Sequence, residues 1–182
     1  MRKQNKRITD LAVIFNLLDT CHVGHLGTIS SDGWPVIKPL NFARLDWRIY
    51  FHCALDGEKL DDIRRDSRVC FEVDLPIAYV KGQPENPCRA EYLYRSVIIR
   101  GRATMVEDRV EKVLALDCLM RKYQPGTSFA GYSDDKLDIT GIVRIEIDDL
   151  SGKEELGKGK DDLRERALRA LASGGPLPVV LE

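Results

Sequence analysis

Three short stretches concentrate the residue types that do chemistry. Cys21-His22-x-x-His25 offers the usual zinc ligands. On a strand, however, residues three apart point to opposite faces and cannot share one ion. No second Cys/His cluster completes a ligand set, so no metal is expected, while a single histidine as a haem ligand stays open. His52 and Cys53 are neighbours that a strand turns apart, and no G-x-S-x-G accompanies them, so nucleophilic catalysis has no constellation. Gly24 and Gly27 do not form G-x-G-x-x-G, and G-x-x-x-x-G-K-[ST] is missing, so the familiar dinucleotide and P-loop cradles are unsupported. The informative stretch is Tyr50-Phe-His-Cys-Ala-Leu-Asp-Gly-Glu-Lys-Leu. A strand ending near Ala54, a permissive Gly57 and Lys59 in the first turn of the next helix bring a cation and free amides together, with His52 aimed at the same place. Such a group suits a phosphate monoester; read as a residue alone, Lys59 is equally an ordinary solvated side chain.

These residues need a scaffold, and the hydrophobic spacing predicts a mostly β one. Leu11, Ile14, Phe15 and Leu18 mark a short amphipathic helix with Thr9 or Asp10 as its cap. His22 to Ile29, Trp34 to Phe42 and Trp47 to Ala54 read as an antiparallel meander joined by Ser30-Ser31-Asp32-Gly33 and Leu45-Asp46. Asp56 is expected to cap a helix facing Leu60 and Ile63 inward, followed by a strand from Arg68 to Leu75. The proline-rich stretch from Pro76 to Arg89 reads as a long loop, of the kind that carries function. Tyr92 to Met105 is a strand with Gly101 at a bulge, and Glu107 to Lys122 a helix burying Val110, Val113, Leu114 and Met120. After an irregular stretch from Gln124 to Thr140, Gly141 to Leu150 forms the last strand. Six strands without a β-α-β rhythm point to a closed or partly closed antiparallel barrel. Residues 1–152 form this domain, and 153–182, with six basic and five acidic residues between Lys153 and Arg169, read as a solvated, charged helical tail after a hinge.

Composition bounds the partners. The 182 residues carry 28 Lys and Arg against 29 Asp and Glu, a formal net charge of −1, which rules out the broad basic face that nucleic-acid binding needs. Five scattered cysteines read as reduced thiols, most of them small core residues, in a cytoplasmic protein. Asp10, Asn16 and Asp19 interrupt the apolar run near the N-terminus, so neither a signal peptide nor a membrane span is expected.

The stretches Val23-Gly-His-Leu-Gly-Thr, Asp32-Gly-Trp-Pro-Val-Ile-Lys-Pro-Leu-Asn-Phe, Ile49-Tyr-Phe-His-Cys-Ala-Leu-Asp-Gly-Glu-Lys-Leu, Val69-Cys-Phe-Glu-Val and Pro87-Cys-Arg through Tyr94-Arg-Ser-Val-Ile-Ile-Arg-Gly follow one another in a familiar order. In them the sequence resembles the FMN-binding split-barrel family that contains pyridoxamine 5′-phosphate oxidase, most closely its nitroimidazole-resistance branch. The resemblance implies a mainly β fold with peripheral helices: a six-stranded antiparallel split β-barrel, homodimeric, with FMN in a cleft between subunits. It implies that Lys38, Pro39, Leu40 and Asn41 lie along the flavin ring. Phe51, His52, Cys53 and Ala54 would follow the ribityl chain, Lys59 would neutralise the phosphate, and Ser96 would lie near the flavin. Cys88 falls in a matching stretch and joins Cys53 as a thiol expected at the cleft. The implied activity is an FMN-dependent oxidoreductase that passes electrons from NAD(P)H to a small acceptor such as a nitroaromatic, with the flavin supplying the redox chemistry. No residue declares itself a catalytic acid or base; His52 and Ser96 are the candidates. The charged C-terminal segment stands where the oxidase itself has an aromatic-and-arginine segment, which argues against pyridoxamine phosphate oxidation. Haem and a deazaflavin remain alternative cofactors, and a non-catalytic flavin or haem carrier the alternative function.

Overall fold

The computed structural model describes residues 4–157, 161–175 and 177–181. Its elements in chain order are β1 (Arg7–Ile8), α1 (Leu11–Thr20), β2 (Gly24–Ile29), β3 (Pro35–Leu40), β4 (Ala43–Leu45), β5 (Arg48–Cys53), α2 (Glu58–Arg65), β6 (Arg68–Val80), β7 (Glu91–Met105), α3 (Arg109–Tyr123), α4 (Asp134–Ile139), β8 (Gly141–Glu155), α5 (Asp161–Ala172) and β9 (Val179–Leu181). The six expected strands correspond to β2, β3, β5, β6, β7 and β8. The sheet order is β3-β2-β6-β7-β8-β5-β4, with β1 added to β8 and β9 to β6. The chain divides into two compact units, Met1–Leu17 with Asp74–Val97 and Ser151–Glu182, and Leu18–Val73 with Ile98–Leu150.

The larger unit is built on antiparallel ladders. Six residues of β2 pair with β3, from Gly24 opposite Leu40 to Ile29 opposite Pro35. On its other side β2 pairs with β6, and β5 pairs with β8 from Arg48 opposite Glu146 to Cys53 opposite Gly141. Alternation along these strands and β7 buries Leu26, Ile49, Phe51, Phe71, Ile99, Val143 and Ile145, and Phe42 after β3 joins them. Close approach fixes two glycines. A Cβ on Gly24 would stand 2.1 Å from the Phe71 ring, and one on Gly101 would stand 2.2 Å from the Glu146 carbonyl oxygen, so Gly101 marks contact between the backbones of β7 and β8.

In the smaller unit, Ile77, Ala78, Val80, Leu93, Leu156, Leu163 and Ala167 form one apolar cluster. The C-terminal segment expected as a solvated tail therefore departs from that reading. β8 continues through residue 152 to Glu155, α5 buries Leu163 and Ala167, and β9 pairs in parallel with residues 78–80. Charges dominate the composition of α5 because they line its outer face, where Arg166 pairs with Asp162 at 3.7 Å; the buried stripe needs few apolar residues.

Three further expectations change. Pro76 does not end β6: it falls between the residues that pair with β2 and those that pair with β9, so its missing N–H interrupts neither ladder. The expected long loop shrinks to residues 81–90, with a short helical turn at Pro87–Arg89. Gly57, not Asp56, is the N-cap of α2, with no side-chain cap bond. On α3, Ala115 and Leu119 are buried while Val110 is 77% exposed, because Glu111 faces the sheet and sets the stripe 111, 115, 119 inward. Its carboxylate accepts from the Tyr50 hydroxyl at 2.8 Å and from Arg144 at 2.9 Å.

Candidate functional site

The end of β5, the turn at Gly57 and the first turn of α2 come together as the spacing required. Phe51 is fully buried and anchors β5, so the next residues emerge at the sheet's end: His52 exposed, Cys53 half-buried, Ala54 exposed. Burial is the main influence on the Cys53 thiol and pushes it up, with Lys59 and Arg64 opposing. Gly57 has a φ of 116°, in the region that favours glycine, and open space where a Cβ would stand. Because a glycine caps α2, the amides of its first turn receive no side-chain oxygen. The Lys59 ammonium lies 6.0 Å from the centroid of the Phe51 ring and makes no ion pair among the described residues.

Glu58 is the feature that the sequence leaves ambiguous, since a carboxylate beside Lys59 opposes an anion. Its Oε2 accepts from Lys38 Nζ at 2.6 Å. This pair fastens β3 to the start of α2 and leaves Lys59 without an ion pair among the described residues. Further along the helix, buried Asp62 accepts from the Thr28 hydroxyl of β2 at 2.8 Å and from Arg65 at 2.9 Å. Burial alone would push that carboxyl up, but the two hydrogen bonds outweigh it and hold the carboxyl below its usual range. Lys38, Phe51, Cys53 and Lys59 thus surround one corner of the unit.

β3 and the residue after it carry further residues expected at the site. Pro39 and Asn41 are exposed and Leu40 half-buried, and the Asn41 amide nitrogen donates to the His22 carbonyl at 3.4 Å. Ser96 is half-buried on β7 but belongs to the smaller unit. Cys88 is exposed in a short turn, also of that unit. None of the five cysteines forms a disulfide, and Cys21 alone is buried, so they are not mostly core residues. His22 precedes β2 instead of lying on it, and His25 Nδ1 stands 3.1 Å from Glu72 Oε2.

Sequence reasoning missed the surroundings of β3. A hollow of about 620 Å³ opens on the sheet face there, lined by Ile37, Cys70, Arg100, Arg102, Asp148 and Asp149 among others. Ile37 is 69% exposed, and Arg100 makes no ion pair among the described residues. The alternation of Ile98, Arg100 and Arg102 along β7 is the signal that places both arginines on one outward face. No helix among the described residues is long and apolar enough to cross a membrane.

Residues 10–154 match the family profile described as pyridoxamine 5′-phosphate oxidase. Among solved structures, a candidate 5-nitroimidazole antibiotic resistance protein from Bacteroides thetaiotaomicron is 26% identical, with a TM-score of 0.73 over 81% of this chain and 86% of that one. A flavocytochrome from Azotobacter vinelandii is 21% identical, with a TM-score of 0.75 over 96% of this chain and 79% of that one. An FAD and haem binding protein from Mycobacterium smegmatis is also 21% identical, with a TM-score of 0.75 over 94% and 81%. A search of curated proteins finds no match.

Proposed function

Because the chain belongs to the pyridoxamine 5′-phosphate oxidase family and has its split-barrel fold, we propose that it binds a flavin, FMN, at the corner formed by β3, β5 and the first turn of α2. The carrying observation is Lys59: a cation without an ion-pair partner among the described residues, at a helix start with no side-chain cap bond. The phosphate of FMN sits there, held by Lys59, the first two α2 amides and His52; the next two amides, of Leu60 and Asp61, donate to the Gly57 carbonyl. The ribityl chain follows Phe51 to Ala54, and the ring lies along Lys38 to Asn41. The residues present fit that group, since Glu58 is occupied by Lys38 and does not face the phosphate alone.

Bound FMN supplies redox chemistry, passing electrons from NAD(P)H to a small acceptor such as a nitroaromatic. The chain's own groups bind and orient: Lys59 neutralises charge, Asn41 offers an amide to the ring edge, and buried Phe51 keeps the β5 wall dry. Two copies complete the site. The hollow beside β3 supports this, because it combines apolar Ile37 with arginines and aspartates, so one face can meet itself about a two-fold axis. The working location is the cytoplasm.

Titration of the purified chain with FMN and riboflavin tests the reading. Lys59→Ala is expected to weaken FMN about 10- to 100-fold, the scale of a lost charge-assisted bond, and to leave riboflavin unchanged. Equal losses for both ligands reject the role of Lys59, and a chain that takes up neither ligand rejects the flavin. Bleaching of the bound flavin by NADH or NADPH, reversed by a nitroaromatic, identifies an oxidoreductase; a flavin that neither nucleotide reduces identifies a carrier. Light scattering that shows only a 20.6 kDa species overturns the dimer.

A further inference from the structure

The segment that follows β3 is held by the last turn of α3, two residues that no part of the site reading uses. The Tyr123 hydroxyl accepts from the Phe42 N–H at 3.0 Å and has two carbonyl oxygens within donating distance, His22 at 2.6 Å and Phe42 at 3.0 Å. Its ring stands 5.6 Å from the His22 ring. The neighbouring Lys122 Nζ sits 3.5 Å from the centre of the buried Phe42 ring and donates to Leu18 O, near the end of α1, at 2.9 Å. One helix end therefore pins both backbone segments that flank Asn41: Phe42, its chain neighbour, and His22, whose carbonyl receives the Asn41 amide.

Asn41 needs such support. It is exposed, lies past the last residue of β3, and has a single long hydrogen bond of 3.4 Å among the described residues. β3 itself is an edge strand without a buried residue, so neither the core nor a second ladder fixes its end. An amide must be held in place to recognise a flat ring, since each freely turning side chain loses affinity when it is ordered on binding.

We infer that Tyr123 is a positioning residue of the candidate flavin site, setting the Asn41 amide through the Phe42 and His22 backbones. The inference rests on the flavin reading above. It concerns the ring end of the ligand, whereas Lys59 concerns the phosphate end, and the two ends have different signatures.

Tyr123→Phe keeps the ring and removes the hydroxyl. Amide exchange by NMR is expected to quicken at Phe42 by about tenfold, the scale of one neutral hydrogen bond. FMN and riboflavin are expected to weaken by the same factor, about fivefold to tenfold, because both carry the ring. The absorption band of the bound flavin should shift, and a merely structural loss would not move it. If Tyr123 acts through Asn41, then Asn41→Ala with Tyr123→Phe weakens binding no more than Asn41→Ala alone. Unchanged flavin affinity in Tyr123→Phe, unchanged exchange at Phe42, or full additivity in the double variant overturns the inference while the flavin reading stands. A wild-type chain that binds no flavin overturns both, and is recognised because the failure precedes any substitution.

Discussion

Strand β5 carries three consecutive buried residues, Ile49, Tyr50 and Phe51, and lies between β8 and β4. Strand β3 has the same length, six residues, yet none is buried, and its one ladder runs to β2. Both walls of the candidate site were expected from the same kind of evidence, but they are fixed by different forces. Burial on both faces sets β5: Ile49 and Phe51 point into the sheet's core, while Tyr50 points toward α3 and bonds Glu111. Beyond its ladder to β2, β3 is held by attachments in and just after its second half, the Lys38 side chain to Glu58 and the Phe42 N–H to the Tyr123 hydroxyl. A ligand wall can therefore be rigid by packing or adjustable by hydrogen bonding, and the site combines one of each.

Substitutions can break this contrast. Phe51→Ala should produce the largest effect, a loss of about 3–5 kcal/mol in urea unfolding, because a fully buried ring leaves a cavity between packed strands. A loss below about 1 kcal/mol would mean that β5 is no more anchored than an edge strand.

A pH titration sharpens the same point. Burial first, and the hydrogen bond to Glu111 second, push the Tyr50 phenol up to about 12 from an ordinary value of 10. The folded chain keeps this proton where the unfolded chain releases it, so the stabilisation is complete below pH 10 and is lost as the pH rises through 12. Tyr132, raised to about 12 by burial and by Asp117, shares the window. Tyr50→Phe should flatten part of the decline and adding Tyr132→Phe a further part; a decline untouched by Tyr50→Phe would show that β5 holds no such buried proton. The smallest effect belongs to β3. Ile37→Ser should alter monomer stability by no more than about 0.5 kcal/mol, as exposed positions do, while lowering the dimer population seen by light scattering. A large loss of monomer stability there would erase the difference between the strands.

The corner at Lys59 was legible because its signals are local: a strand end, a glycine that tolerates positive φ, and a helix start follow one another within ten residues. Glu58 was legible as a residue but not in its effect, since its partner Lys38 lies 20 positions away. The misreading of α3 has the same origin. Val110 and Leu114 fit an apolar stripe by spacing, yet the helix turns another face inward because Glu111 is claimed by Tyr50 and Arg144, from strands distant in sequence. The C-terminal segment misled by composition, since charges on the outer face of α5 outnumber the two positions it buries.

The six main strands, the first three helices, the near balance of charge and the lysine at the start of α2 could be read from the sequence, because propensity, charge and turn chemistry act over a few residues. Only the tertiary structure decided which charges are spent on one another, which helix face is buried, and that Tyr123 reaches Phe42 across 81 residues. Those outcomes depend on which distant groups compete for the same hydrogen bond or the same core, and that competition is settled only when the chain is folded.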